Sequence, residues 1–83
     1  MSITEFIRIY LGNHTYSFYF RLSSEFSEYQ QRIEVENKEV ISWNCTCIFG
    51  SAYRFSQKNI MNDTKCKHIH ECLNLLIYLG YLK

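Results

Sequence analysis

Apolar and polar side chains alternate along residues 16–22. Tyr16, Phe18, Phe20 and Leu22 fall on one side, and Ser17, Tyr19 and Arg21 on the other. A period of two is that of a half-buried strand, and Ser23 to Ser27 break it. The alternation returns with Ile33 and Val35 set between Arg32, Glu34 and Glu36. Asn37-Lys38 then supplies a turn, and residues 40–43 resume an extended pattern. This reads as a β-hairpin whose second strand delivers Cys45 and Cys47 at its end. Near the C-terminus the period changes: Ile69, Cys72, Leu73, Leu76 and Gly80 follow the spacing of one helix face, with Ile77 beside them. Asp63 or Thr64 is suited to cap that helix. At the other end, Ser2 and Glu5 have the form of a capping box. Ile3, Phe6, Ile7, Tyr10 and Leu11 follow at helical spacing, and Gly12-Asn13 is a stop. A short N-terminal helix is expected there, with a strand as the alternative because residues 6–11 are rich in strand formers.

The 18 residues 48–65 are polar and too long for a structureless connection in a small domain. A strand or turn through Tyr53-Arg54-Phe55 is expected within them. The fold class that follows is α+β, a small antiparallel sheet with a C-terminal helix packed on it. Residues 1–83 form one domain, in which 29–83 are the core and 1–28 an N-terminal extension joining it.

Size sharpens this picture. A single core in a chain of 83 residues supplies roughly 3–5 kcal/mol, so a staple is expected. An apolar share of 47% and an aromatic share of 17% mark a folded chain rather than a disordered one. Net charge is only +1, but it is unevenly placed: residues 1–44 carry four basic and six acidic side chains, residues 45–83 five and two. That is too little for a strong nonspecific grip on DNA. The start of the chain lacks the basic and apolar runs of a signal peptide, and the apolar run 72–82 is too short to span a bilayer. An intracellular setting, cytoplasmic, nucleoid or nuclear, is expected, where cysteines bind metal more often than they pair.

Cys45-Thr46-Cys47 and Cys66-Lys67-His68 carry the chemistry. Three thiolates and one imidazole can fill a closed tetrahedral site for one structural Zn²⁺. Residues two apart on a strand share a face, so Cys45 and Cys47 can aim at one ion. Cys66 and His68 lie near a helix start, which favours a thiolate. His70 and Cys72 are rivals because each is four residues from a chosen ligand, although Cys72 belongs to the apolar stripe and His70 points away from it. His14, beside a turn, is not expected to ligate. With all four donors on the ion and no carboxylate beyond Glu71 nearby in sequence, catalysis is not expected, nor is a small-molecule substrate.

Cys-x-Cys followed by Cys-x-His, with Trp43-Asn44 before and Ile69 after, resembles the SWIM zinc finger. The resemblance runs from about residue 30 to residue 80. It implies Cys45, Cys47, Cys66 and His68 as zinc ligands in a ββα-like framework that binds DNA or protein. Members of that family are usually parts of larger proteins, whose activities do not carry over. A protein partner in DNA transactions, or self-association, is the first expectation, given the aromatic load. Direct DNA or RNA binding through Arg54, Lys58, Lys65 and Lys67, near aromatic Tyr53 and Phe55, is the alternative.

Overall fold

The computed structural model describes residues 2–47, 51–53 and 66–83, the middle segment as backbone only. Five strands form one antiparallel sheet in chain order: β1 (Ser2–Gly12), β2 (Thr15–Ser23), β3 (Glu28–Glu36), β4 (Glu39–Cys45) and β5 (Ser51–Tyr53). A single described helix, α1 (Lys67–Tyr78), follows and packs on β3 and β4. The α+β expectation holds. No described helix is long and apolar enough to cross a membrane.

Alternation decides which face is covered. Phe18, Phe20 and Leu22 of β2, Ile33 and Val35 of β3, and Trp43 of β4 are buried with Ile69, Cys72, Leu73 and Leu76 of the helix. The predicted helical stripe is therefore the buried one. Ile77 is exposed, and Gly80 lies past the helix end with φ +88°. There the Gly80 N–H donates to the Ile77 carbonyl (3.1 Å) and the Tyr81 N–H to the Leu76 carbonyl (2.9 Å), the two bonds of a Schellman stop. This reversal carries Tyr81 back over the sheet. Its ring lies 5.3 Å from Tyr16 and 4.9 Å from Phe18, and its hydroxyl accepts a hydrogen bond from Arg8.

The expected N-terminal helix is a strand instead. Phe6, Arg8 and Tyr10 stand opposite Phe20, Phe18 and Tyr16 of β2. Ring pairs follow, Phe6 to Phe20 at 5.1 Å and Tyr10 to Tyr16 at 5.0 Å. Glu5 does not close a capping box; its carboxylate meets Arg21 at 3.6 Å. A helix this short gains little alone, whereas the strand gains a full ladder and an aromatic face. The spacing of Ile3, Phe6, Ile7 and Tyr10 is helical and divides between the two faces of the strand, and pairing with the neighbouring strand overrode it.

Two of the hairpins, β1–β2 and β3–β4, close with two-residue turns in the left-handed region: Asn13 and His14 (φ 52° and 59°), then Asn37 and Lys38 (φ 51° and 65°). Positive φ at both positions is the type I′ geometry that matches strand twist. The Asn37 N–H donates to the His14 carbonyl at 3.0 Å, which ties one turn to the other. A lysine side chain gains nothing from φ 65°, and a non-glycine residue there costs roughly 1–2 kcal/mol. Lys38→Gly is therefore expected to stabilise the fold by about 1 kcal/mol, seen as a higher urea midpoint at unchanged slope.

Candidate metal centre

β4 contains one extra residue, and a bulge absorbs it so that Val40 and the cysteines share the face toward the helix. Val35 stands opposite Val40, but Glu34 stands opposite Ser42, so Ile41 is bulged out. Counted inward from Val40, an unbroken strand would turn Ser42, Asn44 and Thr46 toward the helix and both cysteines away from it. The bulge resets the phase, and Trp43 and Cys45 point inward opposite Ile33 and Gln31. Beyond the strand end, pairing with β3 continues for one residue. The Thr46 N–H donates to the Gln30 carbonyl (3.1 Å), and the Gln30 N–H donates to Thr46 Oγ1 (3.0 Å). That clamp places Cys47 on the same side as Cys45.

From the other direction comes the helix. Cys66, extended at φ −80° and ψ 108°, is the residue before its first turn, in place of the expected Asp63 or Thr64. Those two residues lie outside the described ones. No acidic residue occupies the first turn. His68 sits in that turn with its ring stacked on Tyr29, centroids 4.3 Å apart.

The sulfurs of Cys45, Cys47 and Cys66 and a ring nitrogen of His68 all lie within 4.8 Å of one another. Cys47 Sγ is 3.4 Å from Cys66 Sγ. His68 Nδ1 is 3.6 Å from Cys45 Sγ and 3.7 Å from Cys66 Sγ. A tetrahedron with metal bonds of ~2.3 Å to sulfur and ~2.0–2.1 Å to nitrogen has edges of ~3.8 Å (S to S) and ~3.6 Å (S to N). The donor set and its edges fit one ion of that size, and four protein donors leave no open position. All four cysteines are free thiols.

The rivals are placed differently. Cys72 is wholly buried on the helix stripe and does not join the cluster. His70 and His14 also lie outside it. Lys67 is exposed at the helix start. Arg54, Lys58 and Lys65 fall outside the described residues, as do Arg54 and Phe55 of the expected Tyr53-Arg54-Phe55 strand. Tyr53 closes β5.

Sequence reasoning missed the residues around the donors. Gln31 is 2% exposed and donates from Nε2 to Cys45 Sγ at 3.4 Å, while its Oε1 has no hydrogen-bond partner among the described residues. A buried amide so placed stabilises a thiolate and fixes its direction. One signal was available: Gln31 is the single polar residue in the inward series Tyr29, Gln31, Ile33, Val35.

Burial pushes the Cys66 thiol up to about 12, against a smaller opposing pull from the Ile69 amide. Burial likewise raises Cys45, with the Gln31 amide working the other way. Without an ion these thiols are protonated at neutral pH, and metal ligation must displace their protons.

Two outcomes follow. Apparent metal affinity should fall on acidification, by about tenfold per pH unit for each proton displaced, measured by chelator competition between about pH 6 and about pH 7.5. Deleting Ile41 should retain metal uptake, because it removes the bulged residue and leaves Ser42, Trp43 and Cys45 opposite Glu34, Ile33 and Gln31, whereas deleting Asn44 should abolish it by turning Cys45 and Cys47 to the opposite face; metal content of the purified variants decides. Comparison of the chain with protein-family models, curated proteins and solved structures found no match.

Proposed function

We propose that the chain is a non-catalytic, zinc-stapled module of the SWIM type that works by binding another protein in DNA transactions. The carrying observation is the convergence of Cys45, Cys47, Cys66 and His68 within 4.8 Å of one another, with three of the separations at 3.4–3.7 Å, close to tetrahedral edges. Three soft thiolates and one imidazole favour Zn²⁺ over the harder divalent ions, and a closed shell suits a structural role. The Cys-x-Cys and Cys-x-His spacing supports the SWIM reading and, through it, the setting in DNA transactions.

A protein partner is supported by apolar surface. Phe26, Tyr78, Tyr10 and Leu11 are among the most exposed large side chains, and near-neutral charge favours contacts of this kind over phosphate. Exposed Lys67, beside the helix start, supports the second reading, nucleic-acid binding with Arg54, Lys58 and Lys65.

Elemental analysis of protein purified without chelators should give about one zinc per chain, as one four-ligand site requires. Cys66→Ser should lose both the zinc and the cooperative melting transition, since such sites contribute roughly 10–16 kcal/mol of apparent binding energy. A metal-free protein with an unchanged melting curve would sink the staple. Retention on a short DNA that vanishes at moderate salt, and weakens in Arg54→Ala/Lys58→Ala, would replace the protein partner by nucleic acid.

A further inference from the structure

β1 is the longest strand of the sheet, yet among the described residues it pairs on one side only, with β2. Its other edge carries a row of backbone N–H and C=O groups, and only an extended strand can satisfy such a row without distortion. Edges of this kind are normally blunted by proline, by free charge or by bulges. β1 has no proline, and its two charges are already engaged within the chain: Glu5 with Arg21 and Arg8 with Tyr81.

Bulges are present, but only at the ends. Register shifts fall between Ile3 and Glu5 and between Tyr10 and Gly12. They leave an unbroken ladder over residues 5–10, and it is apolar on both faces. Phe6 and Tyr10 lie on the helix side and Ile7 and Ile9 on the bare side, all between 37% and 59% exposed. The helix packs on β3 and β4 and leaves this edge uncovered.

We infer that the β1 edge is a homodimer interface, in which β1 of a second copy adds antiparallel to it about a two-fold axis at Ile7. The identity of the partner comes from self-complementarity. A two-fold antiparallel pair sets each residue opposite one of the same sheet face, so the axis must pass beside a single residue. An axis at Glu5 or Arg8 would oppose like charges, which is unfavourable. An axis at Ile7 pairs Ile7 with itself, Phe6 with Arg8 and Glu5 with Ile9. Two aromatic–guanidinium pairs form and no like charges meet. The regular ladder of residues 5–10 contains all of these pairs, and the two sheets become one. The interface deepens the protein-partner reading and rests on it, but it needs nothing from the metal.

Sedimentation equilibrium of the full chain, with zinc measured on the same samples, tests this. Wild type is expected to be a dimer. Ile7→Lys and Ile7→Glu, each with unchanged zinc content and circular dichroism, should weaken the dimer at least about tenfold. Mixing the two variants should restore it, since an ammonium on one copy would then face a carboxylate on the other across the axis. A wild-type chain that stays monomeric, or a dimer indifferent to both substitutions, overturns the interface. Two weakened variants that do not recover on mixing overturn the axis at Ile7. Salt-sensitive DNA retention by a monomer would remove the protein-partner reading as well, whereas a monomer without such retention removes the dimer alone.

Discussion

The joint between a strand end and a helix start is the constraint on which this small structure depends. Cys45 and Cys47 arrive from β4, Cys66 and His68 from α1, and their donors crowd within 4.8 Å. Among the described residues, little beyond the stacking of Tyr29 on His68 adds to the hold on the start of the helix. It has no side-chain cap and no acidic first turn, and its apolar face contributes only Ile69, Cys72, Leu73 and Leu76. The thiols of Cys45 and Cys66 are buried beside the half-buried Cys47, and burial favours their protonated form. A divalent cation resolves that situation by replacing protons with one shared charge.

The other end of the helix is held by different means. The glycine reversal at Gly80 turns Tyr81 onto Tyr16 and Phe18, and Arg8 meets its hydroxyl. The helix is thus fixed at two points, by polarizable sulfur at its start and by aromatic packing at its end. Between them lies the buried stripe. An ion at the first point does not have to hold the second.

Much of this was legible in the chain because period and chemistry agreed. Alternation in residues 16–22 and around Ile33 and Val35 could only be strand, and Asn37-Lys38 could only turn. The stripe from Ile69 to Leu76 matched one helix face. The four donors were readable because their spacing has few other uses. β1 was only half readable: Ile3, Phe6, Ile7 and Tyr10 keep helical spacing while residues 6–11 are rich in strand formers, and only the aromatic face of β2 settles the matter. The bulge at Ile41 was also hidden: residues 39–45 give no sign of an extra residue until the partner strand fixes the register. Gln31 was overlooked for a related reason. Its importance comes from the residue opposite it, Cys45, and pairing across strands is not written in the local sequence.

Strand order in the sheet is chain order, and this has a kinetic consequence. Each strand finds its partner beside it in sequence, and two of the hairpins need only two-residue loops. Such pairing forms on the microsecond scale. The slow encounters are elsewhere: His68 must reach Cys45 across 23 positions, and Tyr81 must reach Arg8 across 73. Loop-closure entropy is therefore concentrated in the docking of the helix, while the sheet assembles almost free of it. A nascent chain would expose Cys45 and Cys47 at the end of an assembled β4 before Cys66 and His68, which complete the set, have emerged.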